Sequence, residues 1–237
     1  MLTTAVFTNL ARPDLLTQTL KSLAGAGLED VLLHVDAGGA GHARAYLGAL
    51  QAGLGAASPD GWLLLCEDDI AVPRGLGAYL QETILPALET YRAAPRTERL
   101  GFASLYCSAG YRAWVRAHQA DTGVPGFGRL IPNDAFAGTQ AILFPRDALA
   151  AVLDDLDATT GDRLDWYGDR VLGDVIGRAG LAAWCHTPSL VDHRGLLHTT
   201  LDSKPDNEAL WAADYVGDEW TMDGMDAMDT MDRNTST

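Results

Sequence analysis

The sequence predicts an α/β fold in which a mostly parallel central sheet is flanked by helices within a single domain. Three short apolar runs, at residues 5–7, 31–35 and 62–66, alternate with longer amphipathic stretches. Short apolar runs bounded by turn residues are typical of strands buried in a parallel sheet. Strands that alternate with helices predict parallel pairing through right-handed crossovers. At 237 residues, 47% of them apolar, the chain can bury a large core.

Three helices are predicted to follow these strands, at about 13–24, 42–54 and 73–91. The first begins at Pro13, because proline suits the first turn of a helix, and ends before Gly25. The third is expected to bend at Pro86, since a proline inside a helix removes a backbone hydrogen bond. The first half of the chain therefore predicts three strand–helix units.

The second half is less regular. Strands are predicted at 100–107, 138–144 and 181–185, and helices at about 146–156 and 165–179. Between the first two of these strands, residues 108–134 are rich in aromatic residues, glycine and proline. A long irregular segment in a compact domain is usually functional, so we interpret it as a functional loop or lid.

The charge of the chain is strongly negative, with 17 basic and 32 acidic side chains and a formal net charge of −15. This argues against a broad nucleic-acid interface, which needs clustered basic residues. The three cysteines lack disulfide or zinc spacing and are interpreted as free thiols. With neither a leader-like N-terminus nor an apolar run of membrane-spanning length, the sequence predicts a cytoplasmic protein with no membrane span.

The end of the chain differs in composition. Residues 222–232 repeat Met-Asp every three positions, a period that fits neither a buried helix nor a buried strand. Like charges at this spacing repel, so a disordered acidic tail is predicted for 214–237. The domain is accordingly placed at 1–213, and its two halves at 1–107 and 108–213.

Three acids follow the third apolar run, at Glu67, Asp68 and Asp69. Clustered carboxylates repel one another, and a hard divalent cation held by oxygen ligands is the simplest compensation. The alternative is a cap on the next helix, because acids also suit helix N-termini. These residue types therefore leave a metal site and a helix cap open.

Polar residues also follow the other two strands, at the same predicted edge of the sheet. Thr8 and Asn9, with Arg12, come after the first strand, and Asp36 ends the second. In open α/β sheets the ligand crevice lies beyond the carboxyl ends of such strands. These residues and the three acids are thus predicted to share one site.

The run 9–23, together with Asp36 and the Glu67-Asp68-Asp69 motif, resembles the GT-A-fold glycosyltransferases. The likeness is to DXD-type enzymes that use nucleotide sugars, such as family 2 and lipopolysaccharide-type glycosyltransferases. It implies that Asp69 ligates Mn²⁺ or Mg²⁺ and that Glu67 and Asp68 contact the ribose or the metal. It also implies that Thr8, Asn9, Arg12 and Asp36 bind the nucleotide sugar. On this resemblance, 1–107 is the nucleotide-sugar-binding half and 108–213 the acceptor-side half.

Two segments of the second half resemble the same family. Residues 138–149 resemble its acceptor-side strand and helix, and 188–195 its terminal motif, in which His193 corresponds to a further metal ligand. A hydrogen-bonded structural histidine is the alternative for His193. The resemblance also implies a catalytic base at Asp165 or Asp169. Asp165 is preferred because it stands at the N-terminal end of the predicted helix, which in this family usually faces the cleft. A capping role for Asp165 and a solvated face for Asp169 are the alternatives.

The sequence thus predicts a metal-dependent glycosyltransferase that moves a sugar from a nucleotide-diphosphate donor to an acceptor hydroxyl, with inversion. A glycan, a small molecule, a protein or, less readily, a modified nucleic-acid base could be the acceptor. One alternative is a metal-dependent nucleotidyltransferase on a similar fold, although the turn after the first strand lacks the glycine-rich phosphate loop of such enzymes. Another is a non-catalytic module that binds a sugar nucleotide or a partner.

Overall fold

The computed structural model of this chain describes residues 1–9, 11–36, 41–92, 94–95, 98–133, 135–163, 167–194 and 212–220. The first half contains strands β1 (Leu2–Asn9), β2 (Val31–Asp36), β3 (Trp62–Glu67) and β4 (Ile70–Ala71). Its helices are α1 (Pro13–Gly25), α2 (His42–Ala56), α3 (Leu76–Tyr79) and α4 (Leu85–Glu89).

The second half contains strands β5 (Leu100–Ser104), β6 (Phe127–Leu130), β7 (Ala141–Pro145), β8 (Ala182–His186) and β9 (Asp192–His193). Its helices are α5 (Arg112–Ala117), α6 (Arg146–Asp162) and α7 (Gly168–Arg178).

Among the described residues, seven strands form the central sheet, in the order β2-β1-β3-β7-β5-β8-β6, and β4 and β9 form a separate antiparallel pair. β1 runs parallel to β2 and β3, and β5 runs parallel to β8. β7 is antiparallel to both β3 and β5, and β6 is antiparallel to β8. Five of the seven strands therefore point in one direction, which confirms the prediction of an α/β domain with a mostly parallel central sheet.

Helices cover both faces of this sheet. Apolar side chains of α2, α6 and α7 pack on one face, among them Leu47, Leu149 and Ile176. Those of α1 and of the 76–89 helical region pack on the other, among them Leu23 and Leu76. Because β3 and β7 lie between two helical layers, their residues are all buried.

The second strand is not fully buried, which corrects the expectation from the sequence. β2 is the outermost strand on its side of the sheet, and Leu33 and Val35 are 42% and 38% exposed. An apolar run gives no information on strand order, so an edge strand and a central strand look alike in the sequence.

The segment 108–134 is not one long loop, which corrects a second expectation from the sequence. It contains α5 and the edge strand β6, which pairs with β8 from Phe127↔His186 to Leu130↔Ala183. β6 is only four residues long and includes Gly128, which lies so close to Val115 that an added Cβ would be 2.0 Å from its carbonyl oxygen. Glycine weakens the sequence signal of a strand but permits this close approach.

Three helices differ from their predicted bounds. α6 continues to Asp162, past its predicted end at about 156. The third helix starts at Leu76, and a π-helical turn at Leu80–Ile84 separates α3 from α4, one turn ahead of Pro86. α7 starts at Gly168, with Tyr167 at its N-cap, so the N-cap expected at Asp165 is wrong.

Part of the predicted tail contacts the domain. Asp214 forms ion pairs with Arg112 and Arg116, and Asp218 forms one with Arg194. The Met-Asp repeat lies outside the described residues, and the domain boundary at 213 stays a prediction. None of the helices in the described part of the chain is both long and apolar enough to cross a membrane.

Candidate metal and nucleotide site

The carboxyl ends of three neighbouring strands lie side by side. Asn9 is opposite Asp36 in the β1–β2 register, and Phe7 is opposite Glu67 in the β1–β3 register. Glu67 is the last residue of β3, and Asp68 and Asp69 form the turn into β4. The sheet therefore brings the predicted polar groups to one edge, as expected for parallel strands.

A histidine reaches this edge through the small β4–β9 pair. Ile70 is opposite His193, and the backbone N–H of Arg194 donates to the carbonyl oxygen of Asp69 at 2.8 Å. His193 Nε2 consequently lies 3.4 Å from Asp69 Oδ2, although the two residues are far apart in sequence.

Glu67, Asp69 and His193 form a buried group in which one potential ligand atom from each lies within 4.8 Å of the others. Two carboxylates and an imidazole are suitable ligands for a divalent cation such as Mn²⁺. Asp69 Oδ1 is buried and has no hydrogen-bond partner. A buried carboxylate oxygen without a partner calls for a missing water, ion or ligand, so the residues fit a cation.

Asp68 faces a different set of partners. Arg12 donates to Asp68 Oδ1 and to Asp69 Oδ2, each at 2.6 Å, and Thr8 Oγ1 donates to Asp68 Oδ2 at 2.5 Å. Both oxygens of Asp68 are thus occupied, which separates it from the Glu67–Asp69–His193 group. Arg12, predicted to contact the nucleotide, here bridges two carboxylates.

Burial and neighbouring charges set the pKa values of the group. Burial raises the pKa of Glu67 to about 7, and the Asp69 charge adds to this, while His193 and the hydrogen bond from Thr139 Oγ1 at 2.7 Å oppose it. Burial alone would raise the pKa of Asp69, but the hydrogen bond and charge of His193, together with Arg12, hold it below its ordinary value. Burial would lower the pKa of His193, and Asp69 outweighs it and raises the value.

Asp169 lies half-buried in the first turn of α7. Burial raises its pKa; the His42 charge works against this, and the Glu67 charge adds to it. Asp169 therefore interacts electrostatically with both His42 and Glu67. Asp165, the preferred base, lies outside the described residues.

Sequence reasoning missed His42, the first residue of α2. The backbone N–H of Gly168 donates to His42 Nδ1 at 3.0 Å, which links the start of α2 to the start of α7. Burial lowers the pKa of His42, against the charge of Asp169, which raises it. An acceptor role for Nδ1 belongs to the neutral ring, so the proton is on Nε2. In the sequence, His42 is marked only by the glycine before it, and this glycine predicts the start of a helix, not a functional residue.

The two remaining predicted residues shape the strand ends. Asn9 Oδ1 accepts a hydrogen bond from the backbone N–H of Ala11 at 2.9 Å, which fixes the turn that carries Arg12. Asp36 is half-buried at the end of the edge strand. Both lie at the same sheet edge as Glu67, as predicted, and their contact with a nucleotide stays a prediction.

Polar atoms without partners concentrate around this edge. Of the seven buried side-chain nitrogen or oxygen atoms without a hydrogen-bond partner in the described residues, four lie on Arg12, Tyr46, Asp69 and Gln140. The backbone oxygen of Gln140 accepts from the Glu67 N–H at 2.9 Å. Burial raises the pKa of Tyr46, and the charges of Glu67 and Asp169 add to this. Such groups are normally satisfied, so their concentration here marks a place for polar ligands.

Comparison with known proteins adds little to this geometry. No protein-family model matches the chain. No curated protein matches it either. Among solved structures, the chain is similar to the apo form of mouse xyloside xylosyltransferase 1, with a TM-score of 0.37 and 11% sequence identity. That alignment covers 74% of this chain and 80% of the other. A TM-score this low carries no weight for the activity of this chain.

Proposed function

We propose that this protein is a metal-dependent glycosyltransferase that moves a sugar from a nucleotide-diphosphate donor to an acceptor hydroxyl, with inversion. The observation that carries the proposal is the buried Glu67–Asp69–His193 group at the carboxyl ends of the parallel strands. This is where α/β sheets bind nucleotides and other ligands. No other group of three or more potential ligand residues is found in the part of the chain that the structure describes.

Glu67, Asp69 and His193 would hold Mn²⁺ or Mg²⁺. Bound there, the cation would supply Lewis-acid stabilisation of the negative charge that develops on the departing diphosphate. Asp69 offers its unpartnered Oδ1, so it needs the least rearrangement to act as a ligand. Thr139 holds the Glu67 carboxylate by a hydrogen bond and so fixes its direction.

The residues on the β1–β2 side would bind the rest of the donor. Arg12 is the cationic group nearest the acids in the described site and suits a phosphate, because its planar fork can bind two oxygens at once. Thr8, Asn9 and Asp68 line the same edge, and Asp36 ends the neighbouring strand. We assign Asp36 to the nucleotide base and Asp68 to the ribose or to metal-bound water.

Asp169 would act as the general base that removes the acceptor proton. An efficient general base has a pKa near the working pH, and burial raises the pKa of Asp169 towards that range. Direct inversion needs one general base and no covalent intermediate, so Asp169 alone would suffice. Asp165 is the other candidate, and the acceptor is to be sought among glycans, small molecules and proteins.

A thermal-shift panel tests the proposal. The protein is heated with UDP-, GDP-, TDP- and CDP-sugars, each with and without Mn²⁺. Ligand binding to the folded state raises apparent stability by mass action, so one nucleotide should raise the melting temperature only when Mn²⁺ is present. No shift with any of the four would contradict the proposal.

The variant Asp69→Ala removes the central carboxylate and should abolish the Mn²⁺-dependent shift. Asp154→Ala, at an exposed position on α6, removes an equal charge away from the site and should keep it. The metal assignment would be wrong if Mn²⁺ changed the nucleotide affinity of neither the wild type nor Asp69→Ala. Measured turnover of a sugar nucleotide would distinguish an enzyme from a non-catalytic module that only binds it.

A further inference from the structure

Arg12 neutralises two of the three acids that follow β3. Its guanidinium donates to Asp68 and Asp69 at 2.6 Å each, and the two carboxylates are 1% and 2% exposed. Asp69 Oδ2 therefore contacts Arg12 and lies 3.4 Å from His193, whereas Asp69 Oδ1 has no partner. In this structure, the positive charge next to Asp69 belongs to the chain itself.

We propose that Arg12 couples the binding of the divalent cation to the binding of the nucleoside diphosphate. In the free protein Arg12 neutralises Asp68 and Asp69, so the cation alone binds weakly. A bound diphosphate attracts the guanidinium and releases Asp69 to the cation. This inference rests on the proposed function, because it assumes that the Glu67–Asp69–His193 group holds the metal.

Repulsion between like charges explains the first half of the coupling. A divalent cation that approaches Asp69 Oδ1 meets a guanidinium hydrogen-bonded to the other oxygen of the same carboxylate. At such short range in a poorly hydrated site, two positive charges repel strongly. The attraction of Asp69 for the cation is also reduced, because Arg12 already neutralises part of its charge.

The position of Arg12 explains the second half of the coupling, in which the diphosphate draws the guanidinium away from Asp69. Its side chain is 20% exposed, and its Nε is buried without a partner, so the guanidinium still has donor capacity. Arg12 follows the turn fixed by Asn9 and immediately precedes Pro13 in α1, at the edge where the strands end. Arginine binds phosphate with two parallel hydrogen bonds, as it binds carboxylate, so a diphosphate can compete for the same fork.

Linkage makes the coupling measurable from either side. If the diphosphate tightens Mn²⁺ binding by some factor, Mn²⁺ must tighten diphosphate binding by the same factor. Couplings of this kind are typically five- to 150-fold, and we expect roughly tenfold or more in the wild type. Removal of Arg12 should make Mn²⁺ alone bind about tenfold more tightly and should reduce the coupling to about threefold or less.

Electron paramagnetic resonance of free Mn²⁺ gives the test, with the full chain and with Mn²⁺ alone or together with UDP, GDP, TDP or CDP. The variants are Arg12→Gln and, as a control for net charge, Arg44→Gln, whose ion pair with Asp157 is exposed. Arg44→Gln should behave as the wild type. If Arg12→Gln binds Mn²⁺ alone no more tightly than the wild type, or keeps the full coupling, the proposal is wrong.

A second variant covers the case in which Arg12→Gln does not fold with two buried acids unpaired. Arg12→Lys keeps the charge but, as a point charge on a flexible stem, does not provide the planar fork that bridges two carboxylates. It should bind Mn²⁺ alone with an affinity between those of the wild type and a charge-free variant, and wild-type affinity for Mn²⁺ alone would overturn the proposal. Coupled binding without turnover of any sugar nucleotide would refute the glycosyltransferase function and leave the role of Arg12 standing.

Discussion

The affinity for Mn²⁺ should fall steeply as the pH is lowered through neutrality, because Glu67 must be ionised to act as a ligand. Burial and the Asp69 charge raise the pKa of Glu67 to about 7. Metal binding therefore requires release of the Glu67 proton at pH values below this. A carboxyl group with its ordinary pKa would already be ionised and would give no such dependence.

The size of the effect follows from the titration of one group. With a pKa of about 7, Glu67 is about nine-tenths ionised at pH 8 and about one-tenth ionised at pH 6, so affinity should fall about tenfold between them. Asp69 raises the pKa of His193, which must also lose its proton to bind a metal, so tenfold is the minimum. Both groups change affinity in the same direction.

Isothermal titration calorimetry in two buffers of different ionisation enthalpy measures the affinity and the number of protons released. The variant Thr139→Val removes the hydrogen bond that stabilises the ionised form of Glu67, so the fall in affinity should begin at higher pH. Glu67→Gln should bind Mn²⁺ more weakly and release fewer protons. A flat affinity from pH 8 to pH 6 in the wild type would refute the place of Glu67 in the metal site.

Two other substitutions separate catalysis from stability. Asp169→Asn should lower kcat by about 10²- to 10⁴-fold and leave Mn²⁺-dependent donor binding unchanged, and equal losses in both would show that Asp169 is not the base. His186 is buried beside Tyr79, its Nε2 3.2 Å from the Tyr79 hydroxyl, and burial lowers its pKa to about 4. In the unfolded chain His186 takes up a proton near pH 6.5, whereas in the folded protein it does so only near pH 4. The free energy of unfolding should therefore fall as the pH drops from about 6.5 towards 4, by about 2 kcal/mol at pH 5. Urea unfolding at pH 7.5 and pH 5 measures this loss, and an equal loss in His186→Gln would show that another group causes it.

The sequence predicted which strand ends meet, because local pattern decides the positions of these strands. Apolar runs located β1 and β3, and parallel pairing then placed Asn9, Asp36 and Glu67 at one edge. That step needs only the direction of the strands, which the alternation of strands and helices supplies. The insertion of β7 between β3 and β5 involves residues far apart in the chain, and no local pattern reports it.

The contacts within the site were less predictable for the same reason. His193 reaches Asp69 through the β4–β9 pair, each strand only two residues long, and only the family resemblance pointed to it. Thr139 and His42 act through hydrogen bonds to Glu67 and to the Gly168 N–H, across 72 and 126 positions of sequence. Side-chain contacts of this range depend on tertiary packing, so the sequence carried no signal of their roles.

Release of nucleoside diphosphate from sugar nucleotides tests the proposed activity most directly. Wild-type protein is incubated with UDP-, GDP-, TDP- and CDP-sugars, with Mn²⁺ or with a chelator, and the free diphosphate is measured. We expect slow Mn²⁺-dependent release from one nucleotide class, with water as the acceptor, and none from Asp69→Ala. Binding of a sugar nucleotide without release from any donor, or release that persists in Asp69→Ala, would contradict a metal-dependent glycosyltransferase built on the Glu67–Asp69–His193 group.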